Sequence, residues 1–261
     1  MNLAKIAATS ILAVCATATA AFANTAIGLI GDNTLVMIDG KTSKVTGTMK
    51  VSGVDRLLGI DVRPSNKMLY GVSADGTVVT IDTKSGKAAK VSKLEKMIPD
   101  SASAIVDFNP AADKLRFMGT DGTNLRADVD SGKVTTDGSL AFEKTDMHAG
   151  EKPNIVAAAY TNSYGKPEKT AMFDIDATIV AVIQQTKPND GTLKAIGKLG
   201  IDAAKNYAFD VQTSSGGENT AWLVADNVLY SVSLEKGKAS KIGAVDGASG
   251  MIRDIAVLPA M

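Results

Sequence analysis

The sequence is poor in the residues that most often carry catalysis or ring stacking. It contains one cysteine (Cys15), one histidine (His148) and one tryptophan (Trp222). A lone histidine cannot build a multi-histidine metal centre, and a single cysteine cannot form an internal disulfide. Few aromatic rings also make a polysaccharide ligand a weak expectation, because sugars typically stack on aromatic planes.

The familiar sequence motifs of enzymes are missing as well. There is no G-x-S-x-G nucleophile elbow, no G-x-G-x-x-G, no phosphate loop and no D-x-[DN]-x-[DN]-G calcium loop. A Ser-His-Asp arrangement or a carboxylate pair assembled in space has no support in the spacing. We therefore expect no cofactor, no metal and no assignable catalytic residue, and we lean towards a non-enzymatic protein.

The sequence has no excess of positive or negative charge. The chain has 28 basic and 28 acidic residues, so nothing favours nucleic acid or an anionic membrane surface as a partner. After the first residues there is no second long apolar run, and we expect no membrane span.

The first 23 residues read as a secretory signal peptide. Lys5 precedes an apolar run from Ile11, and Ala21-Phe22-Ala23 has the small-x-small pattern of a cleavage site. A rival interpretation, lipidation of Cys15, is disfavoured by Val14, which stands where a small residue is expected. Residues 24–261 are then predicted to form one domain, periplasmic or secreted, and monomeric.

Five related segments make up most of the remaining chain. Each has three short β-prone runs joined by a tight turn, which is Asp-Asn or Asp-Gly in four of them, and by a polar turn that usually carries Ser-Gly or Lys-Gly; segment 170–199 is longer and less regular. Such pairs suit two-residue hairpin turns, so each segment is predicted to be a three-stranded meander. The segments are residues 25–51, 67–94, 114–140, 170–199 and 220–245.

A fourth apolar run, rich in small residues, follows each segment. The runs are Leu57–Val62, Ala104–Phe108, Ile155–Tyr160, Tyr207–Val211 and Ile252–Val257. A repeat of about 50 residues with four short strands is typical of a β-propeller, with the small residues on the innermost strand. The first segment lacks an inner run before it, and the last run lacks a segment after it. We therefore predict an all-β, five-bladed propeller closed by pairing of the C-terminal strand with the N-terminal blade. An open β-sandwich or two separate β domains is the alternative.

Two groups of residues are candidates for ligand binding. The inner-run aspartates either line the axial channel and bind a ligand or accept hydrogen bonds from backbone amides of neighbouring blades. The second group, on the third segment, either grips a carboxylate or phosphate or pairs with Asp107, Asp113 or Asp128. The candidates are Asp61, Asp107, Arg116, Asn124, Arg126 and Asp210.

Acidic hairpin turns form a third feature. Strand order places the turns on one rim of the predicted ring, together with the loops 95–103 and 141–154. They either attract a cation or a basic ligand or reflect the preference of aspartate for turns. The residues are Asp32, Asp75, Asp121, Asp174 or Asp176, and Asp226.

Several longer motifs resemble an uncharacterised bacterial family, domain of unknown function 4394. They are LLGIDVRP (57–64), DFNPAADKLR (107–116), TNLR (123–126), PNIVAAAYTN (153–162) and NDGTL (189–193). The resemblance spans nearly all of residues 25–258, with Lys114 departing from an expected arginine. It implies exported, repeat-built β proteins and carries over no catalytic residue.

Three functional hypotheses follow. The first is an exported propeller that binds an unknown small molecule or envelope protein on one rim. The second is a metal-assisted, lactonase-like propeller hydrolase, motivated by the recurring aspartates. The third is an assembly role in which blade edges pair with other chains.

Overall fold

A computed structural model describes residues 25–258. The predicted signal peptide, residues 1–23, and Cys15 lie outside the described residues. The described chain is built from strands, turns and loops, and it contains no helix of the length and apolarity required to cross a membrane.

The strands are short and evenly distributed along the chain. In chain order they are β1 (Thr25–Ile30), β2 (Thr34–Asp39), β3 (Val45–Lys50), β4 (Leu57–Arg63), β5 (Met68–Ser73), β6 (Thr77–Ile81), β7 (Ala88–Lys93), β8 (Ala104–Asn109), β9 (Lys114–Gly119), β10 (Asn124–Ala127), β11 (Val134–Thr136), β12 (Ala141–Phe142), β13 (Ile155–Tyr160), β14 (Met172–Asp176), β15 (Ala181–Lys187), β16 (Thr192–Lys198), β17 (Tyr207–Thr213), β18 (Asn219–Ala225), β19 (Val228–Val232), β20 (Ala239–Ala244) and β21 (Ile252–Val257).

These strands form five antiparallel meanders, the blades of a closed ring. Blade 1 is β21-β1-β2-β3, blade 2 is β4 to β7, blade 3 is β8 to β11, blade 4 is β13 to β16 with β12 added, and blade 5 is β17 to β20. The inner strands β4, β8, β13, β17 and β21 each contact the next around the axis. The predicted five-bladed β-propeller is confirmed.

The ring closes as the sequence predicts. Strand β21 pairs antiparallel with β1, from Ala26 opposite Val257 to Ile30 opposite Ile252, with one irregularity near Ile30. The last strand of the described chain thus supplies the inner strand of the first blade.

Both faces of a blade are buried because each blade is packed between two others. On β18, Ala221 and Leu223 join the apolar layer shared with blade 4, while Trp222 and Val224 join the layer shared with blade 1. Successive side chains of a strand point to opposite faces, so the strands read as nearly continuous apolar runs. Five such layers, one per blade junction, form the core.

Backbone hydrogen bonds also join the blades at their outer edge. The segment after each outer strand meets the polar turn between the third and fourth strands of the next blade, as in Ser52 N–H to the Gly86 carbonyl at 2.9 Å and Glu95 N–H to the Gly132 carbonyl at 3.0 Å. Gly86 has a φ of 72° and Gly132 one of 79°. The repeated glycine is therefore explained by a left-handed backbone conformation at a point where segments of two neighbouring blades are in contact.

Blade 4 differs from the prediction by one strand. The two-residue strand β12, within the loop 137–154, pairs in parallel with β16 through Ala141 opposite Thr192 and Phe142 opposite Leu193. Two residues carry no readable alternation of apolar and polar side chains, so the sequence predicts a loop over residues 141–154.

The contact at the outer edge gives a testable prediction. A Cβ at Gly86 would lie 2.6 Å from the Lys50 carbonyl oxygen, whereas a Cβ at Gly122, which also has a positive φ, has open space around it. We expect Gly122→Ala to lower the unfolding free energy by about 1–2 kcal/mol through backbone strain alone. Gly86→Ala should lower the unfolding free energy by about 1–3 kcal/mol more than Gly122→Ala does, because blade 1 must shift to make room for the added methyl group. Urea unfolding of both variants measures the difference, and equal losses would contradict this account of the junction.

Candidate functional site

The ring has two distinct rims. We call the rim where the inner strands begin the entry rim; it carries the hairpin turns between the second and third strands of each blade and the long loops into each inner strand. The opposite rim, where the inner strands end, is the exit rim. The acidic turns and the loops 95–103 and 141–154 all belong to the entry rim.

The acidic turn residues use their carboxylates locally. Asp75 accepts hydrogen bonds from the Ser73 hydroxyl at 2.6 Å and from Thr77 N–H at 3.0 Å, and these bonds lower its pKa below the usual value. Asp226 accepts from two backbone amides of the loop at residues 205–206. The geometry of Asp75 is that of aspartate as a turn former, whereas Asp226 ties its turn to the loop that leads into β17.

In blade 4 the turn aspartate is Asp176. It accepts from the backbone amides of Asn154 and Thr178 at 2.9 and 2.8 Å. Asp174 lies instead in the middle of β14, fully buried, and neither carboxylate oxygen has a hydrogen-bond partner among the described residues. Burial raises the pKa of Asp174 well above its usual value.

The inner-strand aspartates project into the axial channel, and each bonds to a neighbouring blade. Asp61 accepts from Phe108 N–H at 2.6 Å, Asp107 from Tyr160 N–H at 2.9 Å, and Asp210 from Val257 N–H at 2.5 Å. Inner strands pair on one side only, so the amides on their other edge need acceptors. The carboxylates supply these acceptors across the blade junctions.

These three carboxylates also lie close to one another. One oxygen from each of Asp61, Asp107 and Asp210 falls within 4.8 Å of the others. Burial raises the pKa of Asp61 and Asp107 well above the usual value, reinforced by the neighbouring carboxylates, and burial raises that of Asp210 to about 6. The cluster therefore holds protons to a higher pH than solvent-exposed aspartates do, and a bound cation would offset this effect.

The space beside this carboxylate cluster is small and covered at the exit rim. The cavity there measures about 20 Å³ and is lined also by Lys67 and by Ser163, Tyr164 and Gly165 of the loop 161–170. That loop is anchored to blade 5, since Ser163 donates to the Val211 carbonyl at 2.7 Å. The volume suits one water molecule or one ion.

A fourth channel carboxylate was missed by sequence analysis. Asp254 accepts from Ile60 N–H at 2.7 Å, which ties blade 1 to blade 2 as Asp61 ties blade 2 to blade 3. The repeat alignment places Ala256, not Asp254, at the aspartate position. Asp210 bonds to Val257 N–H, the residue after Ala256, just as Asp61 bonds to Phe108 N–H, the residue after Asp107. The alignment is therefore correct, and Asp254 was missed because it lies two residues before the aligned position.

The second candidate group lies elsewhere, in the junction of blades 3 and 4. Arg116 is 1% exposed and donates to Asp137 at 2.6 Å, to Asn124 at 2.9 Å and to Asn189 at 3.0 Å. Arg126 donates to the same Asp137 carboxylate at 3.1 Å. The arginine partner is thus Asp137, rather than Asp107, Asp113 or Asp128. The six candidate residues form two separate clusters joined by Tyr160, whose amide reaches Asp107 and whose hydroxyl accepts from Arg116.

The axial channel is wider at the entry rim than beside the carboxylate cluster, and we call this opening the mouth. It is a cavity of about 340 Å³ at the points where the inner strands of all five blades begin. Its lining residues are Arg56, Leu58, Asp100, Ser101, Ala102, Ser103, Ala104, Thr120, Val156, Ala177, Ala204, Lys205, Asn206, Tyr207 and Arg253. None of the six candidate residues from the sequence lies in this lining. The one sequence signal for the mouth is its position at the start of each inner run.

Solved structures resemble the fold at low sequence identity. A structural genomics protein of unknown function from Bacteroides thetaiotaomicron VPI-5482 matches at 16% identity and a TM-score of 0.54, over 93% of this chain and 66% of that one, just under two thirds of its length. A protein of unknown function from Bacteroides caccae matches at 9% identity and a TM-score of 0.44, over 88% and 77%. The dihydro-heme d1 dehydrogenase NirN in complex with DHE matches at 14% identity and a TM-score of 0.40, over 87% and 44%. The first likeness shows the fold alone.

No protein of curated function matches the sequence. A family model does match, and it covers residues 34–256, nearly the whole described chain. The chain belongs to the family described as Domain of unknown function (DUF4394).

Proposed function

We propose that the protein is an exported, non-enzymatic binding protein whose ligand occupies the mouth at the entry rim. The observation that carries this proposal is the mouth itself: a cavity of about 340 Å³ bounded by all five blades. Clefts of about 300–1,000 Å³ are typical of small-molecule sites. The ligand is therefore a small molecule rather than a second protein chain.

Support for binding rather than assembly comes from the outer strands. Lysines stand exposed on the outer strands of several blades: Lys50, Lys90, Lys93, Lys194, Lys198 and Lys241. Charged residues of this kind, lysine above all, discourage pairing of sheet edges with other chains. The hypothesis of blade edges that pair with other chains is correspondingly weaker.

A second candidate function is metal-assisted hydrolysis, favoured by the carboxylate cluster of Asp61, Asp107 and Asp210. Carboxylate oxygens suit a hard divalent cation, and these three residues would hold it. A cavity of about 20 Å³ leaves no room for a substrate beside such an ion. Moreover, Asp61 and Asp210 each use both carboxylate oxygens to accept backbone amides. We therefore rank hydrolysis below binding.

Metal analysis of the purified protein separates the two candidates. A divalent ion at one equivalent per chain that is lost in Asp107→Asn, but retained in the rim variant Asp121→Asn, would favour the hydrolase. Our proposal expects no stoichiometric ion whose loss follows the Asp107 substitution.

Filling the mouth tests the binding proposal. Ser103 is exposed and lines the mouth, so Ser103→Trp should fill the cavity without disturbing the core. Ala89, exposed on the outer strand β7, provides the matched control Ala89→Trp. We expect that a compound present at 100 times its Kd raises the Tm of the wild type and of Ala89→Trp by about 5–10 °C and leaves Ser103→Trp unchanged.

The readout is thermal unfolding across a panel of ions, sugars, amino acids, short peptides and small organic acids. A compound that stabilises the wild type and Ser103→Trp equally would place its site outside the mouth. A panel without any stabilising compound would also count against the proposal.

The channel carboxylates predict a specific dependence of stability on pH. Burial raises the pKa of Asp254 to about 7 and that of Asp210 to about 6, above the unfolded value of about 3.9. Between about pH 4 and pH 7 the native protein thus binds more protons than the unfolded chain, and the unfolding free energy falls as pH rises. We expect Asp254→Asn to flatten this fall.

The measurement is urea unfolding at several pH values between about 4 and 8. Asp202→Asn, which removes an exposed aspartate from the entry-rim loop that precedes β17, serves as the control. It should keep the wild-type slope of unfolding free energy against pH. An unchanged slope in Asp254→Asn would contradict the assignment of the protons to the channel.

A further inference from the structure

The arginines of this chain differ in one respect that matters for the mouth. Arg63, Arg116 and Arg126 each have an aspartate partner at 3.1 Å or less. Arg253, which lines the mouth, has no carboxylate within 4.0 Å among the described residues. Arg56, also in the lining, makes only a loose contact with Asp32 at 3.7 Å, and both side chains are largely exposed.

Backbone oxygens hold the Arg253 guanidinium in place. Its Nε donates to the Gly31 carbonyl at 2.7 Å, Nη1 to that of Leu58 at 2.8 Å and Nη2 to that of Leu57 at 2.5 Å. A guanidinium has five N–H groups, so two remain, one on each Nη. The carbonyl dipoles fix the orientation of the group but do not neutralise its charge.

The charge of Arg253 is also incompletely solvated. The residue is partly buried, and burial lowers its pKa below the usual value of an arginine. Asp254 and Asp32 attract the Arg253 charge only from beyond 4.0 Å, and burial outweighs their effect on its pKa. A cation that is partly desolvated, rigidly held and without a carboxylate in contact gains most from an anionic ligand, because charge-assisted hydrogen bonds are the stronger ones.

Basic side chains outnumber acidic ones in the lining of the mouth. Arg56, Lys205 and Arg253 contribute three basic groups to the mouth, against one acidic group, Asp100. The turn aspartates of the entry rim stay outside the lining. Asp75 and Asp121 accept from hydroxyls or amides of their own turns. Asp226 accepts from the backbone amides of Lys205 and Asn206, in the neighbouring loop.

From these observations we propose that the mouth binds a small oxyanion, a carboxylate or phosphate carried on a compact molecule, with the two remaining N–H groups of Arg253 as its fixed donors. Arg56 and Lys205 add charge from the wall. This inference rests on the proposed function, because it names the chemical class of the ligand for the same cavity.

Four probes separate charge from size. Succinate, 1,4-butanediol and putrescine share a four-carbon chain and carry negative, neutral and positive charge; inorganic phosphate tests the second oxyanion. Isothermal titration with the full mature chain should show binding of succinate or phosphate and none of butanediol or putrescine. If neither anion binds at about 10 mM, ten times a millimolar Kd, the inference fails.

Variants assign the binding to the mouth. Because Arg253 holds three backbone carbonyls, replacing it risks the fold, so the main variant is the double change Arg56→Ala with Lys205→Ala. Its control, Lys90→Ala with Lys241→Ala, removes the same charge from exposed outer strands. We expect the mouth variant to raise the Kd for the anion at least about tenfold, the loss of one or two charged contacts, and the control to leave it within about twofold. Equal weakening in both would mean unspecific charge attraction and would overturn the inference.

Ser103→Trp distinguishes the two proposals. If butanediol, putrescine or another uncharged or cationic compound of the wider panel binds and Ser103→Trp abolishes its binding, the mouth is the site but the oxyanion inference is wrong. If succinate binding survives Ser103→Trp, the anion lies elsewhere and the inference is wrong. If Ser103→Trp abolishes anion binding and Ala89→Trp preserves it, both stand.

Discussion

The structure depends on how the free edges of its inner strands are satisfied. Each inner strand pairs with one neighbour within its blade and turns its other edge to the axis, where buried amides require acceptors. Asp61, Asp107, Asp210 and Asp254 provide them, and each reaches the amide of the following blade. The carboxylates that look like a binding site in the sequence are therefore first of all the links between blades. This solution concentrates acidic groups in one channel, where burial raises their pKa values.

At the outer edge the same junctions are joined by different means. Backbone bonds between the end of one blade and the glycine turn of the next replace carboxylates, and the apolar layers fill the space between. Two junctions also contain buried arginines: Arg63 of blade 2 pairs with Asp113 and Asp130 of blade 3, and Arg116, Asp137 and Asn124 occupy part of the junction of blades 3 and 4. Buried ion pairs add little net stability compared with hydrocarbon of the same volume. The junction of blades 3 and 4 also contains the carboxylate of Asp174, which has no hydrogen-bond partner among the described residues.

Much of the architecture could be predicted from the sequence because it repeats. Tight Asp-Asn and Asp-Gly turns such as Asp75-Gly76 marked the hairpins, and runs such as Leu57–Val62 marked the inner strands. The ion-pair partners of the arginines could not be predicted. Arg116 pairs with Asp137, and no local sequence pattern specifies the path of the chain that brings the two together. Strand β12 has only two residues, too few to show a periodic pattern of apolar side chains. The mouth was missed because its lining consists of isolated residues from five blades, and Arg253 became notable only when the partners of the other arginines were known. The signal peptide and export remain predictions.

The pairing of β1 with β21 has a consequence for how the chain folds. Ala26 and Val257 are partners, so the first blade cannot acquire its inner strand until the final residues of the described chain are available. Contacts between distant residues slow folding, because the ends must meet before any stabilisation is gained. Blades 2 to 5 each consist of contiguous sequence and can assemble locally, whereas blade 1 waits as an incomplete hairpin sheet with an open edge. For as long as that edge is open, the folding chain is most vulnerable to pairing with a second molecule, and the ring gains protection from aggregation only with its last step.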